Sequence, residues 1–249
     1  MTFQVEKFKT PVHIRTGALI VTGKRSKQHI MNRKELFKRY LLFIISLFFS
    51  ALGVAFTRHG ELGVSPISSV ANVMSYYCSL SLGTLLIIWN CILIAGQIAI
   101  LRKKFQLIQL LQVPLSFLFG WFTDLGLKIV SAIPADNYPV RLAMVFTGII
   151  ILGFGISLAV IANVIMNSGE ALVKAISDTL NRNFGNVKVI FDISCVTLSV
   201  ILSLVLFDMK IIGTREGTVL SAFLTGFAVK FFIRLLKKPV DKILTEKVS

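Results

Sequence analysis

Cysteine, histidine and acidic side chains are all scarce in this chain: three, three and twelve among 249 residues. The three thiols, Cys78, Cys91 and Cys195, are unclustered. That excludes a disulfide framework and any cysteine-based metal spacing, and leaves small buried hydrophobes as their reading. No His/Asp/Glu cluster at ligand spacing, no nucleophile elbow and no phosphate loop is present in the sequence, so no enzyme, metal or cofactor is expected. The chain's start lacks the charged, short-apolar, small-residue pattern of a cleaved signal, and its first segment is expected to be retained. Charge of either sign makes up only 16% of the residues.

What fills the chain instead is apolar: 55% hydrophobic residues, 20 of them Phe, with a mean hydropathy of +0.78. A soluble domain cannot keep so much apolar surface from water, so the composition describes a multi-spanning membrane protein. Runs long enough to cross about 30 Å of hydrocarbon lie at 41–57, 82–101, 108–127, 142–165, 187–206 and 219–236. They are continuous rather than alternating, which selects helices over a closed barrel. The expected fold is all-α: six spans plus two short amphipathic or re-entrant helices.

A net charge of +15 invites a nucleic-acid reading, and the placement of the charge argues against it. With six spans, 21 of the 27 Lys and Arg fall on one side, ten of them before the first span, while five fall on the other and Lys230 lies within the sixth. That split is the positive-inside pattern with both termini in the cytoplasm. The basic arm, residues 1–39, is also suited to anionic headgroups. Within it, 16–23 reads as a short strand or as disorder.

The segment 167–185 repeats an earlier one. Shifted back by 102 positions, Glu170, Lys174, Ser177 and Asn181 fall on Ser68, Asn72, Ser75 and Ser79. Steps of four, three and four put each set on one helical face. Under the same shift Gly155 falls on Gly53, Gly185 on Gly83 and Asp192 on Asn90, and a four-residue slip brings Gly226 onto Gly120 and Lys230 onto Asp124. Each half, 40–131 and 140–236, then reads as span, short helix, span, span, joined by a link with Pro134 and Pro139 and followed by a tail, 237–249. An odd number of crossings makes the second half enter from the opposite side, an inverted-topology repeat.

Local chemistry sharpens this. Ser65 before Pro66 is a helix start, with a hydroxyl able to cap free amides and a proline suited to the first position. Asn167 and Glu170 have capping-box spacing, and Glu170–Lys174 and Lys174–Asp178 are i,i+4 pairs. Gln97 follows Asn90 by seven positions, and Gln106, Gln109 and Gln112 recur at helical spacing.

Leu62-Gly-Val-Ser-Pro-Ile-Ser-Ser69, Ser81-Leu-Gly-Thr84 with Asn90, Leu118-Phe-Gly-Trp-Phe-Thr-Asp124 and Gly213-Thr-Arg-Glu-Gly-Thr218 together resemble the bacterial YczE/YyaS/YitT-type family of multi-spanning membrane proteins. The resemblance covers about 40–237. It implies a bacterial cytoplasmic-membrane protein and brings no functional residue to this chain.

Asp192 is the sharpest candidate, since a carboxylate about 10 Å inside a bilayer must face protein, pair or be protonated. It reads as a coupling-proton or cation site with Asn90 as its mate, or as an ordinary partner of Lys188. Glu170 and Lys174 can line a vestibule or form a solvated face. Ser65 and the free amides after it make an anion-binding helix start if that start dips into the membrane, or an ordinary cap at the outer interface, and Ser68 and Asn72 of the stripe join the candidate binding residues. Lys230 and Asp124 either pair or stay near their own faces. The function expected from these features is a small secondary transporter of an unknown solute or ion, able to form homo-oligomers. The alternative is a membrane scaffold or regulator that binds a partner protein or lipid through its basic arm.

Overall fold

Among the described residues, apolar runs broken by glycine, proline and charged turns become eight α-helices. The computed structural model describes residues 12–15, 18–21 and 33–245. They comprise α1 (Arg33–His59), α2 (Pro66–Tyr77), α3 (Leu82–Leu101), α4 (Gln112–Val130), α5 (Tyr138–Ala162), α6 (Ser168–Thr179), α7 (Phe184–Leu206) and α8 (Glu216–Thr245). Six of these, all but α2 and α6, are long and apolar enough to cross a membrane. The protein is a multi-pass helical membrane protein, as its composition requires. In the basic arm, β1 (Val12–Arg15) pairs antiparallel with β2 (Ala18–Val21). The 16–23 segment therefore supplies one strand, and of the arm only 12–15, 18–21 and 33–39 are among the described residues.

Two boundaries differ from the apolar runs. α1 begins at Arg33, taking the last basic residues of the arm into its first turns, and α8 continues through Pro239 to Thr245. Hydropathy marks where a helix can meet lipid, whereas Lys, Arg and Glu extend the same helix into water at little cost. Lys38 Nζ donates to Ile243 O at 3.1 Å, so α1 starts and α8 ends on one face, called here the terminal face. The opposite, far face holds the His59–Ile133, Glu61–Arg141 and Leu62–Gly217 contacts.

α1 and α5 cross at the centre because their contact residues are small. A Cβ on Gly53 would stand 2.5 Å from Leu152 N and 2.8 Å from Gly148 O. One on Gly155 would stand 2.5 Å from Ser50 N and 2.9 Å from Ser46 O. Each partner position is the other's counterpart at a separation of 102. Without such residues two backbones cannot approach this closely in a membrane, where packing rather than water exclusion holds helices together. The helix ends match as well: α1 runs out into left-handed Glu61 and α5 into left-handed Asn163, again 102 apart.

The remaining helices flank this crossing. α4 packs on α1 and α8 on α5; α2 packs on α3 and α7, and α6 does the same. One pairing has no counterpart. α3 and α4 are locked, with Gly83 and Gly120 in backbone contact and Asp124 accepting from Gly83 N at 2.8 Å and Ser81 Oγ at 2.6 Å. α7 and α8 do not pack along their length, and nothing lies within 4 Å of a Cβ placed on Gly226. Asp124 is thereby committed to α3, and the Lys230 ammonium stands 5.9 Å over the Phe227 ring.

Candidate functional site

The two short helices enter the bundle from opposite faces and meet at their starts. α2 is preceded by the far-face end of α1 and followed by the start of α3, yet every residue of 66–73 except half-buried Ile67 is buried. A helix lying in the headgroups leaves one face outside; α2 does not. Ile67 points at α6, where a Cβ on Gly169 would come within 2.7 Å of Ile67 Cδ1. The lead-in residues are anchored by the long helices: Leu62 packs among Val145, Ile149, Leu220 and Leu224, and Val164 and Ile165 pack by Phe43, Leu47, Leu115 and Leu118.

The caps differ from their sequence signatures. Pro66 occupies the first turn as expected, but Ser65 Oγ donates to Ser68 Oγ at 3.0 Å instead of capping an amide. Asn167 makes no side-chain cap either, so the capping box with Glu170 is not formed. The free first-turn amides of both helices therefore remain directed at the centre, each end carrying about half a positive charge.

Around these starts the candidate residues separate into groups. Lys188 Nζ donates to both oxygens of Asp192, at 2.6 Å to Oδ2, within a half-buried i,i+4 pair on α7. Glu170 of α6 joins them electrostatically. It lies outside the six spans, and burial pushes its carboxyl above the usual range, opposed by Lys188 and reinforced by Asp192. Lys188 is bonded to Asp192 alone, and Glu170 feels both charges of that pair. Lys174 is not part of this set, because it pairs with Asp178 at 2.8 Å. Asn90 is not brought to Asp192; it stands on α3, and what α3 and α7 share is the pair of short helices packed against both.

Ser68 and Asn72 are buried beside α7 and α8. Asn72 Nδ2 donates to Gly213 O at 2.6 Å, while Asn72 Oδ1, Thr218 Oγ1 and Ser221 Oγ are buried without a hydrogen-bond partner. Such groups are uncommon in folded interiors, and a polar solute can complete them. The corresponding place beside α3 and α4 is filled by the protein itself. Gln97 and Gln112 exchange amide hydrogen bonds at 3.1 and 3.2 Å, and Gln97 Nε2 also donates to Ser168 O. The glutamine spacing was visible in the sequence; the pairing across two helices was not.

A polar cavity of about 480 Å³ opens on the far face, lined among others by Arg58, Glu61, Ser75 and Arg141. Ser75 belongs to the polar stripe read from the sequence. In the sequence Arg58 and Arg141 are two of the five basic residues on the side away from the termini, and no local signal sets them apart.

Among the described residues no group of His, Cys, Asp and Glu is arranged to hold a metal. The chain belongs to a family of unknown function, DUF6198, whose model matches residues 37–234. The basic arm lies before that match. No curated protein and no solved structure matches the chain.

Proposed function

We propose that the protein is a small secondary carrier of the bacterial cytoplasmic membrane, built from two inverted repeats with both termini in the cytoplasm. The observation that carries this reading is the head-to-head meeting of α2 and α6 beside a helix crossing whose contacts recur 102 residues apart. Half helices that end inside a bundle, one from each side, are how carriers place free backbone groups around a solute. The difference between the locked α3–α4 pair and the separated α7–α8 pair supports alternating access, because exchanging the two arrangements exchanges the open side. The 21-to-5 charge split supports the orientation. In this reading Asp192, Lys188 and Glu170 form the coupling site. A proton arriving at either carboxylate weakens its hold on Lys188, so occupancy of the centre and protonation are linked.

The test is flux in liposomes with an internal pH dye, comparing the native chain with Asp192→Asn and with Lys188→Gln/Asp192→Asn. The double variant removes both members of the pair and avoids leaving an uncompensated ammonium. The expected result is solute-dependent proton movement in the native protein and at least a tenfold loss in both variants, with folding verified by thermal stability. Undiminished flux in the double variant removes the coupling role, and no solute or proton movement by the native chain removes the carrier reading.

A further inference from the structure

We infer that the far-face cavity is a binding site for a small oxyanion, a carboxylate or phosphate group, with Arg58 as its principal ligand. This deepens the carrier reading by naming the class of solute, and the binding itself does not depend on transport. Arg58 ends α1 with its guanidinium stacked 3.5 Å from the Tyr76 ring centroid, and a single hydrogen bond of 3.4 Å reaches Ser75 Oγ. Among the described residues no carboxylate comes within ion-pair distance of it. Glu61, the acidic residue of the cavity wall, is held instead by Arg141 Nη1 at 2.8 Å, while Arg141 Nε donates to Ala135 O. His59 Nε2 is engaged by Ile133 O.

The wall therefore carries two guanidinium groups against one carboxylate, an excess of one positive charge facing about 480 Å³ of space. A guanidinium offers five N–H donors in a planar fork that matches a carboxylate or phosphate in bidentate fashion. Tyr76 fixes the plane of that fork and Ser75 uses one edge, so the remaining donors are presented in a set orientation. An inner structural arginine has its fork filled: Arg39 bonds Glu35 at 2.9 Å and the Ala162 carbonyl at 3.2 Å. Arg58 is the cavity arginine without that closure. The positive ends of α2 and α6 deeper in the bundle carry the sign that the same anion would meet next.

The experiment uses the full chain in nanodiscs of zwitterionic lipid at fixed ionic strength, replacing sodium chloride by sodium phosphate or sodium succinate and reading thermal stability. A ligand that binds the folded state raises it. The expected result is a rise of about 2–5 °C at saturation for the native chain and for Arg215→Gln, whose exposed partner is Glu216 outside the cavity. Arg58→Gln abolishes the rise, and Arg58→Lys, which keeps the charge without the fork, weakens apparent affinity at least tenfold. A second set of nanodiscs containing phosphatidylglycerol, without added oxyanion, separates the two sources of the group. An Arg58-dependent rise there assigns the site to a lipid headgroup phosphate, and its absence assigns it to a soluble anion. Equal responses of native and Arg58→Gln protein, or no response to phosphate, succinate or phosphatidylglycerol, overturn the assignment. Because this is a binding measurement, it fails or succeeds separately from the liposome flux.

Discussion

A methyl group on Gly53 has nowhere to go: the Leu152 backbone nitrogen lies 2.5 Å from its position, and backbone cannot rotate away as a side chain can. Gly155 meets the same obstacle in Ser50 N. Gly53→Ala and Gly155→Ala are each expected to destabilise the protein by about 1–3 kcal/mol through overpacking, with similar falls in melting temperature. Gly226→Ala, facing open space, is expected to leave stability unchanged or slightly raised, since alanine is the better helix former. Glu170 makes the matching electrostatic case. Its carboxyl holds a proton more tightly in the folded chain than in the unfolded one. The stability it contributes is fully present below its ordinary value of 4.5 and is lost as pH rises through its folded-state value. Melting temperature scanned from about pH 4 to pH 8 should therefore fall less steeply in Glu170→Gln than in the native chain. Parallel profiles would show that Glu170 is not the group responsible.

At the scale of elements, the lock between α3, α4 and α6 is a satisfied polar network in an apolar setting. Removing Gln97 leaves the buried Gln112 amide with no partner, and removing Gln112 leaves Gln97 Oε1 unpaired while its Nε2 keeps Ser168 O; an unpaired buried group costs about 1–3 kcal/mol. Gln97→Leu and Gln112→Leu are each expected to show that loss in thermal unfolding, and the double variant is expected to lose clearly less than their sum. Strict additivity would mean the two amides do not depend on each other. The six spans were legible in the sequence because each is a hydropathy signal confined to its own residues. The polar stripes of the short helices were legible for a related reason, since helical spacing fixes which residues share a face. What could not be read was everything that depends on a second element. Nothing local to Lys188 and Asp192 tells that Glu170 of another helix feels their charges, and nothing local to Arg58 tells that Tyr76 and a cavity face it. The capping signature at Ser65 misled because the Ser68 hydroxyl of the same turn takes its hydrogen bond, and Asn167 makes no side-chain cap.

For the whole molecule the informative feature is the helix pairing that residues 40–131 have and 140–236 lack. α3 and α4 touch through Gly83, Ile87 and Gly120, whereas α7 and α8, which carry the counterparts Gly185, Val189 and Gly226, stand apart. If the halves exchange roles during a transport cycle, each contact present here opens and each missing one forms. A cysteine pair at 183 and 230, the counterparts of Ser81 and Asp124, should then cross-link only in molecules that leave the present arrangement. A pair at 81 and 124, whose side chains already meet at 2.6 Å, should cross-link readily and hold the molecule in it. Both pairs are to be placed in a chain with Cys78, Cys91 and Cys195 replaced by serine or alanine, in liposomes with oxidant. The expected outcome is that added solute or a pH step raises the rate of 183–230 cross-linking several-fold, while prior 81–124 cross-linking suppresses both that reaction and any flux, reversibly on reduction. A 183–230 pair that never forms under any solute or pH, beside an 81–124 link that leaves flux intact, would mean that the asymmetry is a fixed property of the fold. The gap between α7 and α8 would then be a permanent lipid-facing cleft rather than the open phase of a cycle.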